Sequence, residues 1–519
     1  MYEINLTLTP SQAADEQQIL RAAEQHLKFR PNTLTTVQTI RRSVDARKRL
    51  PVVNLMVRVY AAGETPQAVY TTEVEYDNIA DKPEVVVVGA GPAGLFASLR
   101  LIELGFRPIL LERGKEVSER KKDIAQINRN VRLDPESNYC FGEGGAGTFS
   151  DGKLFTRSKK RGNTQRILEI FHRHGAQDTI LYEAHPHIGT DRLPSVIKAM
   201  RNTIINCGGE VLFGKKVNGL IIENGAAVGV NVEGGESYRG LAVILATGHS
   251  ARDIYHMLHH QNILLEAKGF AMGVRVEHPQ ALINEIQYHS RRPDPCLPSA
   301  SYALVAQSNG RGVYSFCMCP GGHIVPAATG ENELVVNGMS SSLRNSPFAN
   351  SGIAVELHPE DFSQYADAGP LCGLLYQQQL EHDAFLQGGG TQTAPAQRLA
   401  DFVFGHHSST LPKTSYLPGL CSSHLHEWMP ALIADRLRDG FRQFDQKMRG
   451  FLTNEAIVVG VESRTSSPVR IPRDSDTLQH LTLPGLYPCG EGAGYAGGIT
   501  SSAMDGERAA EAVAQHFRK

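Results

Sequence analysis

Residues 84–95, Glu84-Val85-Val86-Val87-Val88-Gly89-Ala90-Gly91-Pro92-Ala93-Gly94-Leu95, pass from an apolar strand into G-x-G-x-x-G and then into a helix. Each glycine has its own reason. Gly89 permits the tight turn, Gly91 lets backbone approach a phosphate, and Gly94 lets helix and strand pack closely. The helix starting at Pro92 and Ala93 offers unpaired N–H groups to an anion. A second strand, Pro108 to Leu111, ends at Glu112, 23 residues beyond Gly89, where an acid can accept hydrogen bonds from ribose hydroxyls; Arg113 follows it. Strand, glycine turn, helix, second strand and terminal acid together predict a Rossmann-like α/β domain that binds a dinucleotide.

NAD and FAD share this fingerprint, and two later segments separate them. Leu241 to Leu245 is a buried strand that ends in the small-residue turn Ala246-Thr247-Gly248. Near the C-terminus, Gly485-Leu486-Tyr487-Pro488-Cys489-Gly490-Glu491-Gly492-Ala493-Gly494 is a short strand with a Gly-acid pair, followed by Gly497-Gly498 and a helix from Ile499. This order resembles the second FAD signature of the glutathione-reductase-like superfamily. The resemblance implies that Glu491 holds the ribityl chain and that the helix N-terminus faces the flavin pyrimidine, where its positive end stabilises the reduced, anionic flavin. No His or Cys stands in an attachment motif, so the expected cofactor is non-covalent FAD.

The run Tyr139-Cys140-Phe141-Gly142-Glu143-Gly144-Gly145-Ala146-Gly147-Thr148-Phe149-Ser150-Asp151-Gly152-Lys153-Leu154 narrows the resemblance. With Ser315 to Gly322, Val461 to Ile471 and Gly490 to Gly498, it is similar to a bacterial family of FAD-dependent dehydrogenases whose substrate is undefined. The likeness runs from about Arg41 onward. It adds Gly144, Gly145, Gly147, Thr148, Ser150, Lys153 and Val217 to the expected cofactor contacts.

A chain of 519 residues exceeds what one hydrophobic core serves. Residues 1–81 read as a small α+β domain with strands Ile4 to Leu8 and Val52 to Tyr60 around a helix from Glu16 to Leu27. The FAD domain is expected from two separated segments, 82–250 and 456–519, with a β-rich α+β substrate domain at 251–455 between them. In the first segment helices are expected over Asn163 to His174 and Leu193 to Cys207. A strand at Glu210 to Phe213 then leads into a meander of Val217 to Glu223, Ala227 to Val232 and Gly240 to Leu245. The inserted domain shows strand patterns at Phe270 to Val276, Ser301 to Ala306, Gly312 to Cys319 and Glu333 to Gly338. It also has one long amphipathic helix, Leu425 to Met448, whose apolar stripe reads as core.

Net charge is −2, from 52 basic and 54 acidic residues, so the whole chain presents no field for nucleic acid or an anionic membrane. The basic cluster Arg41, Arg42, Arg47, Lys48 and Arg49 reads as a solvated, salt-bridged face, with RNA docking as the alternative. The start of the chain has no secretory signal pattern, no apolar run is long enough to span a bilayer, and eight scattered cysteines suit free thiols. The expected location is cytoplasmic.

FAD carries the redox chemistry, so the residues sought are those that orient and polarise it. Cys317 and Cys319 lie two apart on a strand and share a face, which makes them candidate redox thiols, with buried inert cysteines as the plainer reading. His323 adds a third potential metal ligand without a fourth, so no metal is expected. Lys153 is a candidate to polarise the flavin, and His249 a candidate acid or base with a pKa near neutrality. Arg464 is a candidate for a substrate carboxylate or the FAD pyrophosphate. Arg275 and Glu277 share a strand face and are expected to pair with each other. No second strand with G-x-G-x-x-G occurs between 251 and 455.

The reading that follows is an FAD-dependent oxidoreductase that exchanges a hydride or two electrons with a small-molecule substrate or electron acceptor. Transient NAD(P)H or a protein electron carrier are candidate partners. A flavin monooxygenase and a flavin-bearing RNA-interacting or redox-sensing protein are the alternatives.

Overall fold

The computed structural model describes residues 1–68, 70–156 and 162–518. At the N-terminus, strands Tyr2–Leu8, Leu34–Asp45 and Val52–Ala61 form an antiparallel sheet with Val52–Ala61 in the centre. The helix Glu16–Leu27 starts at Asp15, whose carboxylate accepts from Gln17 N at 2.9 Å, and buries Ile19, Leu20 and Ala23 against Leu55, Val57 and Val59. The strand Leu34–Asp45 is the one the sequence conceals. Its Thr, Gln and Arg residues give no apolar period, because only Leu34 in it is buried. It carries Arg42, which pairs with Glu183 at 2.6 Å, and Arg47 beyond it pairs with Asp45 at 2.5 Å.

The parallel sheet has the order Leu486–Pro488, Val243–Leu245, Glu84–Val88, Arg107–Leu111, Glu210–Leu212. Val88, Leu111, Leu245, Pro488 and Leu212 stand level at the carboxyl ends of these strands, which is where an open α/β sheet presents its crevice. On one face the helices Pro92–Glu103 and Ile499–Phe517 pack together so closely that a Cβ on Gly506 would lie 2.0 Å from Ala93 O. The other face is covered by the helix Arg252–His260 and by a meander. The meander differs from expectation. Its third strand is Ser237–Arg239, while the expected strand from Gly240 shortens to Val243–Leu245 and joins the parallel sheet instead.

The inserted domain is built on a seven-stranded sheet: Val305–Ser308, Arg311–Cys319, Phe348–Leu357, Phe270–Pro279, Ile457–Glu462, Ala394–Arg398, Leu420–Ser422. Both expected boundaries of this domain move. Ile457–Glu462, assigned above to the nucleotide domain, pairs antiparallel with Phe270–Pro279 and Ala394–Arg398. It is buried at every residue, so its sequence has no alternation to say which sheet receives it. Helix Arg252–His260, assigned to the insertion, instead puts Ile254, Tyr255 and Leu258 into the core with Val86, Val243 and Leu245. A two-stranded ribbon, Glu266–Ala267 with Val469–Arg470, brackets the insertion.

The expected helix from Leu425 to Met448 is also two: Leu425–Trp428, then Ala431–Lys447, because Pro430 lacks the N–H that a continuous helix needs. Its stripe is core as expected, with Leu425, Leu437, Phe441 and Phe444 fully buried. All eight cysteines are free thiols. Among the described residues no helix is long and apolar enough to cross a membrane.

Candidate functional site

A cleft of about 370 Å³ opens at the carboxyl ends of the parallel strands, between the amino ends of helices Pro92–Glu103 and Ile499–Phe517 and the wall of the inserted domain. Its lining brings together residues from six distant stretches of sequence. They are Gly89, Gly91, Pro92 and Ala93; Glu112 and Arg113; Gly145, Gly147, Ser150 and Lys153; Val217; Ala246, Thr247, Gly248 and His249; and Glu491, Gly497, Gly498 and Ile499. Cys317 and Arg464 enter from the inserted domain.

Five expected site residues stand behind that wall and shape it. A Cβ on Gly94 would fall 1.9 Å from Gly89 O, and one on Gly144, whose φ is +79°, would fall 1.9 Å from Thr148 Oγ1. Thr148 donates to Glu143 O at 3.0 Å, Gly490 N donates to Asp505 at 2.8 Å, and Cys319 is fully buried.

Three lining glycines have no such neighbour. Added Cβ atoms on Gly248 and Gly497 would meet nothing within 4 Å, and one on Gly91 would meet only Gly145 Cα at 3.9 Å. None of the three has positive φ. Neither protein packing nor backbone conformation requires glycine at these positions, and their bare backbone faces the cleft. Two helix amino ends with open glycines beside them fit an elongated anionic ligand of dinucleotide type.

Glu112 is more committed than the sequence suggests. Its buried carboxylate accepts from Ala90 N at 2.9 Å, Gly114 N at 2.9 Å and Gly142 N at 3.0 Å, tying the fingerprint loop to the Gly142–Gly147 loop. A carboxylate has about four acceptor positions, which leaves one for a ribose hydroxyl. Arg113 pairs with Glu136 at 2.6 Å and Asp253 at 2.8 Å, and lies 4.1 Å from the Phe141 ring centroid.

Arg120 is a structural determinant that the sequence reading missed. Fully buried, it donates to the carbonyls of Asn138, Tyr139 and Glu143 at 2.8, 2.9 and 2.7 Å, and so sets the path of the glycine-rich run. Burial pushes its pKa down to about 10. In the sequence it is one of several charges on an otherwise ordinary helix, Val117–Asn128.

At the other end, Glu491 accepts from Gly498 N and lies 3.4 Å from His249 Nε2, and burial raises its pKa. His249 differs from expectation. Burial first, then Arg464 and Arg252, push it down to about 4, so it is neutral at pH 7. A histidine depressed in the folded state contributes stability that is complete above the unfolded value near 6.5 and is lost as pH falls toward 4. A ring-carbon NMR titration, assigned with His249→Gln, is therefore expected to show His249 unprotonated down to about pH 5; a midpoint near 6.5 would remove this assignment.

Arg464 is corrected too. Its Nε and Nη2 donate to Glu381 at 3.1 and 2.9 Å, Nη2 also to Glu333 at 2.9 Å, and Nη1 to Thr329 at 2.7 Å. With four of its five N–H donors taken, it braces the cleft and has no pair of free donors for a bidentate clamp on a substrate carboxylate. Arg275 and Glu277 do not pair with each other. Arg275 pairs with Glu462 on the neighbouring strand at 2.7 Å, while Glu277 accepts from Ser415 N at 3.0 Å. Among the described residues no cluster of His, Cys, Asp or Glu could hold a metal, His323 included.

Lys153 reaches across to the inserted domain. Its Nζ lies 3.9 Å from both Cys317 Sγ and Cys319 Sγ, bonds to Met318 O, and stands 3.7 Å from Asp151, which Arg344 holds at 2.5 Å. Burial opposes its charge, but the two thiols and Asp151 outweigh it and the pKa is raised. Its side chain is 34% exposed and lines the cleft.

Residues 269–465 match the family described as FAD-dependent protein, C-terminal domain-like, the same stretch that the ribbon brackets. Residues 1–60 match a domain of unknown function. An uncharacterised protein of Clostridium beijerinckii is 40% identical over 532 residues, covering 99% of this chain and 98% of its own. Among solved structures, a flavin-dependent brominase is 13% identical with TM-score 0.37 over 84% of this chain and 79% of its own. A tetracycline destructase is 12% identical with TM-score 0.31 over 84% and 83%. A geranylgeranyl bacteriochlorophyll reductase-like protein of Thermoplasma acidophilum is 13% identical with TM-score 0.35 over 84% and 79%.

Proposed function

The chain belongs to one family with the Clostridium beijerinckii protein, a family of FAD-dependent proteins, and from that premise we propose that it is an FAD-dependent oxidoreductase. The observation that carries this reading is the set of open glycines, Gly91, Gly248 and Gly497, along a cleft that runs from one helix amino end to another. FAD held there supplies hydride or two-electron exchange between its N5 position and a substrate.

The chain's own residues bind and orient. The N–H groups at the start of helix Pro92–Glu103 take the pyrophosphate, Glu112 a ribose hydroxyl, and Glu491 the ribityl chain. The amino end of helix Ile499–Phe517 favours negative charge at the pyrimidine edge. Lys153 keeps its proton and offers a fixed positive charge at the wall of the inserted domain. His249, neutral, offers hydrogen bonds and no charge. The inserted domain faces the substrate side of the cleft through Phe316, Cys317 and Asn337.

A small-molecule substrate or acceptor, transient NAD(P)H or a protein carrier exchanges electrons with the cofactor, with no second nucleotide fold in the sequence to hold a nicotinamide permanently. The test is the visible spectrum of the purified protein, followed anaerobically with NADH, NADPH and dithionite. A yellow protein bleached by dithionite is the expected result, and fast bleaching by one nicotinamide names the donor. A colourless protein that FAD does not reconstitute overturns the reading.

A further inference from the structure

We propose that Cys317 and Cys319 are a redox pair, opening and closing a disulfide in exchange with the bound flavin. The proposal rests on the FAD reading and adds a second two-electron centre to it.

The strand Arg311–Cys319 is irregular where these residues lie. Its register with Phe348–Leu357 steps from Phe316 opposite Gly352 to Cys319 opposite Asn350, and Cys317 has φ of +47°. A non-glycine residue in the left-handed region is strained and persists only where its surroundings impose it. In a regular strand, residues two apart share a face but stand roughly 6–7 Å apart along it. The left-handed step at Cys317 breaks that regular spacing. Both sulfurs end 3.9 Å from one ammonium, Lys153 Nζ, and the Cys319 thiol donates to Cys317 O at 3.3 Å.

The surroundings favour one thiolate. Arg275 donates to Cys317 O at 2.7 Å and to Cys319 Sγ at 3.6 Å, while Asp151 and Glu462 balance the two cations from behind. The Cys319 hydrogen bond, Lys153 and Arg275 together hold the Cys317 thiol well below its ordinary range, and Cys319 is correspondingly raised. Cys317 lines the cleft, whereas Cys319 is fully buried. That division suits a sulfur that meets the cofactor and a protected partner that resolves it.

The step balances within the holoprotein. The Cys317–Cys319 bond breaks on receiving an electron pair and one proton from reduced, anionic FAD. Cys319 is left as the thiol and Cys317 as the thiolate, and the cofactor is oxidised. A nicotinamide or another two-electron donor replenishes the pair, and a disulfide or quinone-like acceptor drains it.

Anaerobic dithionite titration of the oxidised holoprotein reads the second centre directly. The wild type is expected to consume two equivalents of dithionite per FAD, with absorbance at wavelengths beyond the flavin band appearing at the halfway point as the thiolate faces oxidised flavin. Cys319→Ala is expected to consume one equivalent and to show that absorbance from the start. Cys317→Ser is expected to consume one and never to show it. Differential alkylation in denaturant, with peptide mapping, should find both sulfurs blocked before reduction and reactive after it. If the yellow wild type consumes one equivalent and both cysteines alkylate without reduction, the redox pair is overturned while the FAD reading stands. If no flavin binds, the FAD reading falls and takes the flavin exchange with it.

Discussion

Gly91→Ala is expected to fold like the wild type and to bind FAD more weakly. Gly91 caps helix Pro92–Glu103 with φ of −76° and makes no side-chain capping bond that alanine would forfeit. An added methyl meets no protein atom closer than 3.9 Å. Replacing glycine at a compatible φ changes stability by about 1 kcal/mol or less, so the melting curve should hardly move. The methyl points into the cleft, where the phosphates come against bare backbone, and forcing an extra methyl into a close contact costs about 1–3 kcal/mol. FAD affinity should therefore fall by roughly 5- to 150-fold, read by titrating the apoprotein.

Gly94→Ala, one helical turn on, should behave in the opposite way. Its Cβ would sit 1.9 Å from Gly89 O, so folding fails before binding can be asked about. Unchanged FAD affinity in Gly91→Ala would mean that the cofactor does not lie against Gly91.

The two glycines share one motif, and their difference shows what a sequence can carry. The fingerprint, its following strand and Glu112 were legible because a local chain of strand, turn and helix fixes them. The Gly-acid segment at Gly490–Gly498 was legible by resemblance. All of them reach one cleft through strand ends that register pairs level.

What was not legible depends on partners far along the chain. Ile457–Glu462 reads as a buried strand either way, and only pairing with Phe270–Pro279 decides its sheet. Arg464 reads as an anion-binding arginine until Glu333 and Glu381 arrive from the inserted domain to occupy it. The Arg275 side chain shares a strand face with Glu277, yet it takes Glu462, because a neighbouring strand brings the closer carboxylate. His249 differs for a related reason: burial and the distant Arg464 lower its pKa most, and of its causes only Arg252 is a neighbour in sequence.

Glu381→Ala is expected to destabilise the protein by about 3–5 kcal/mol, the usual cost of removing one partner from a buried ion pair. Glu381 is fully buried on helix Cys372–Gln387 of the insertion. It accepts from Arg252 at 2.6 Å, from Arg464 at 2.9 and 3.1 Å, and from Ser463 Oγ at 2.5 Å. Arg252 opens the helix that packs on the nucleotide domain, and Arg464 lies on the strand's return toward it, so this carboxylate holds three segments at the seam between domains. Without it, two buried guanidiniums share Glu333 alone.

Its pH signature distinguishes this seam from general acid sensitivity. Burial opposes the charge, but Arg252 and Arg464 prevail and hold the carboxyl at about 2 against an ordinary 4.5. A depressed acid contributes stability that is complete above the unfolded pKa and lost as pH falls through the folded one, here between about 4.5 and 2 and amounting to about 3 kcal/mol. The histidine contribution of His249 lies in a higher window, between 6.5 and about 4. Urea unfolding at a series of pH values should show wild type and Glu381→Ala losing stability in parallel down to about pH 4.5. Below that the wild type should fall more steeply than the variant, which shares every other depressed carboxylate, narrowing the gap between them. A gap that stays constant to pH 2 would mean that Glu381 is not the charged centre of the seam, whatever its removal costs at neutral pH.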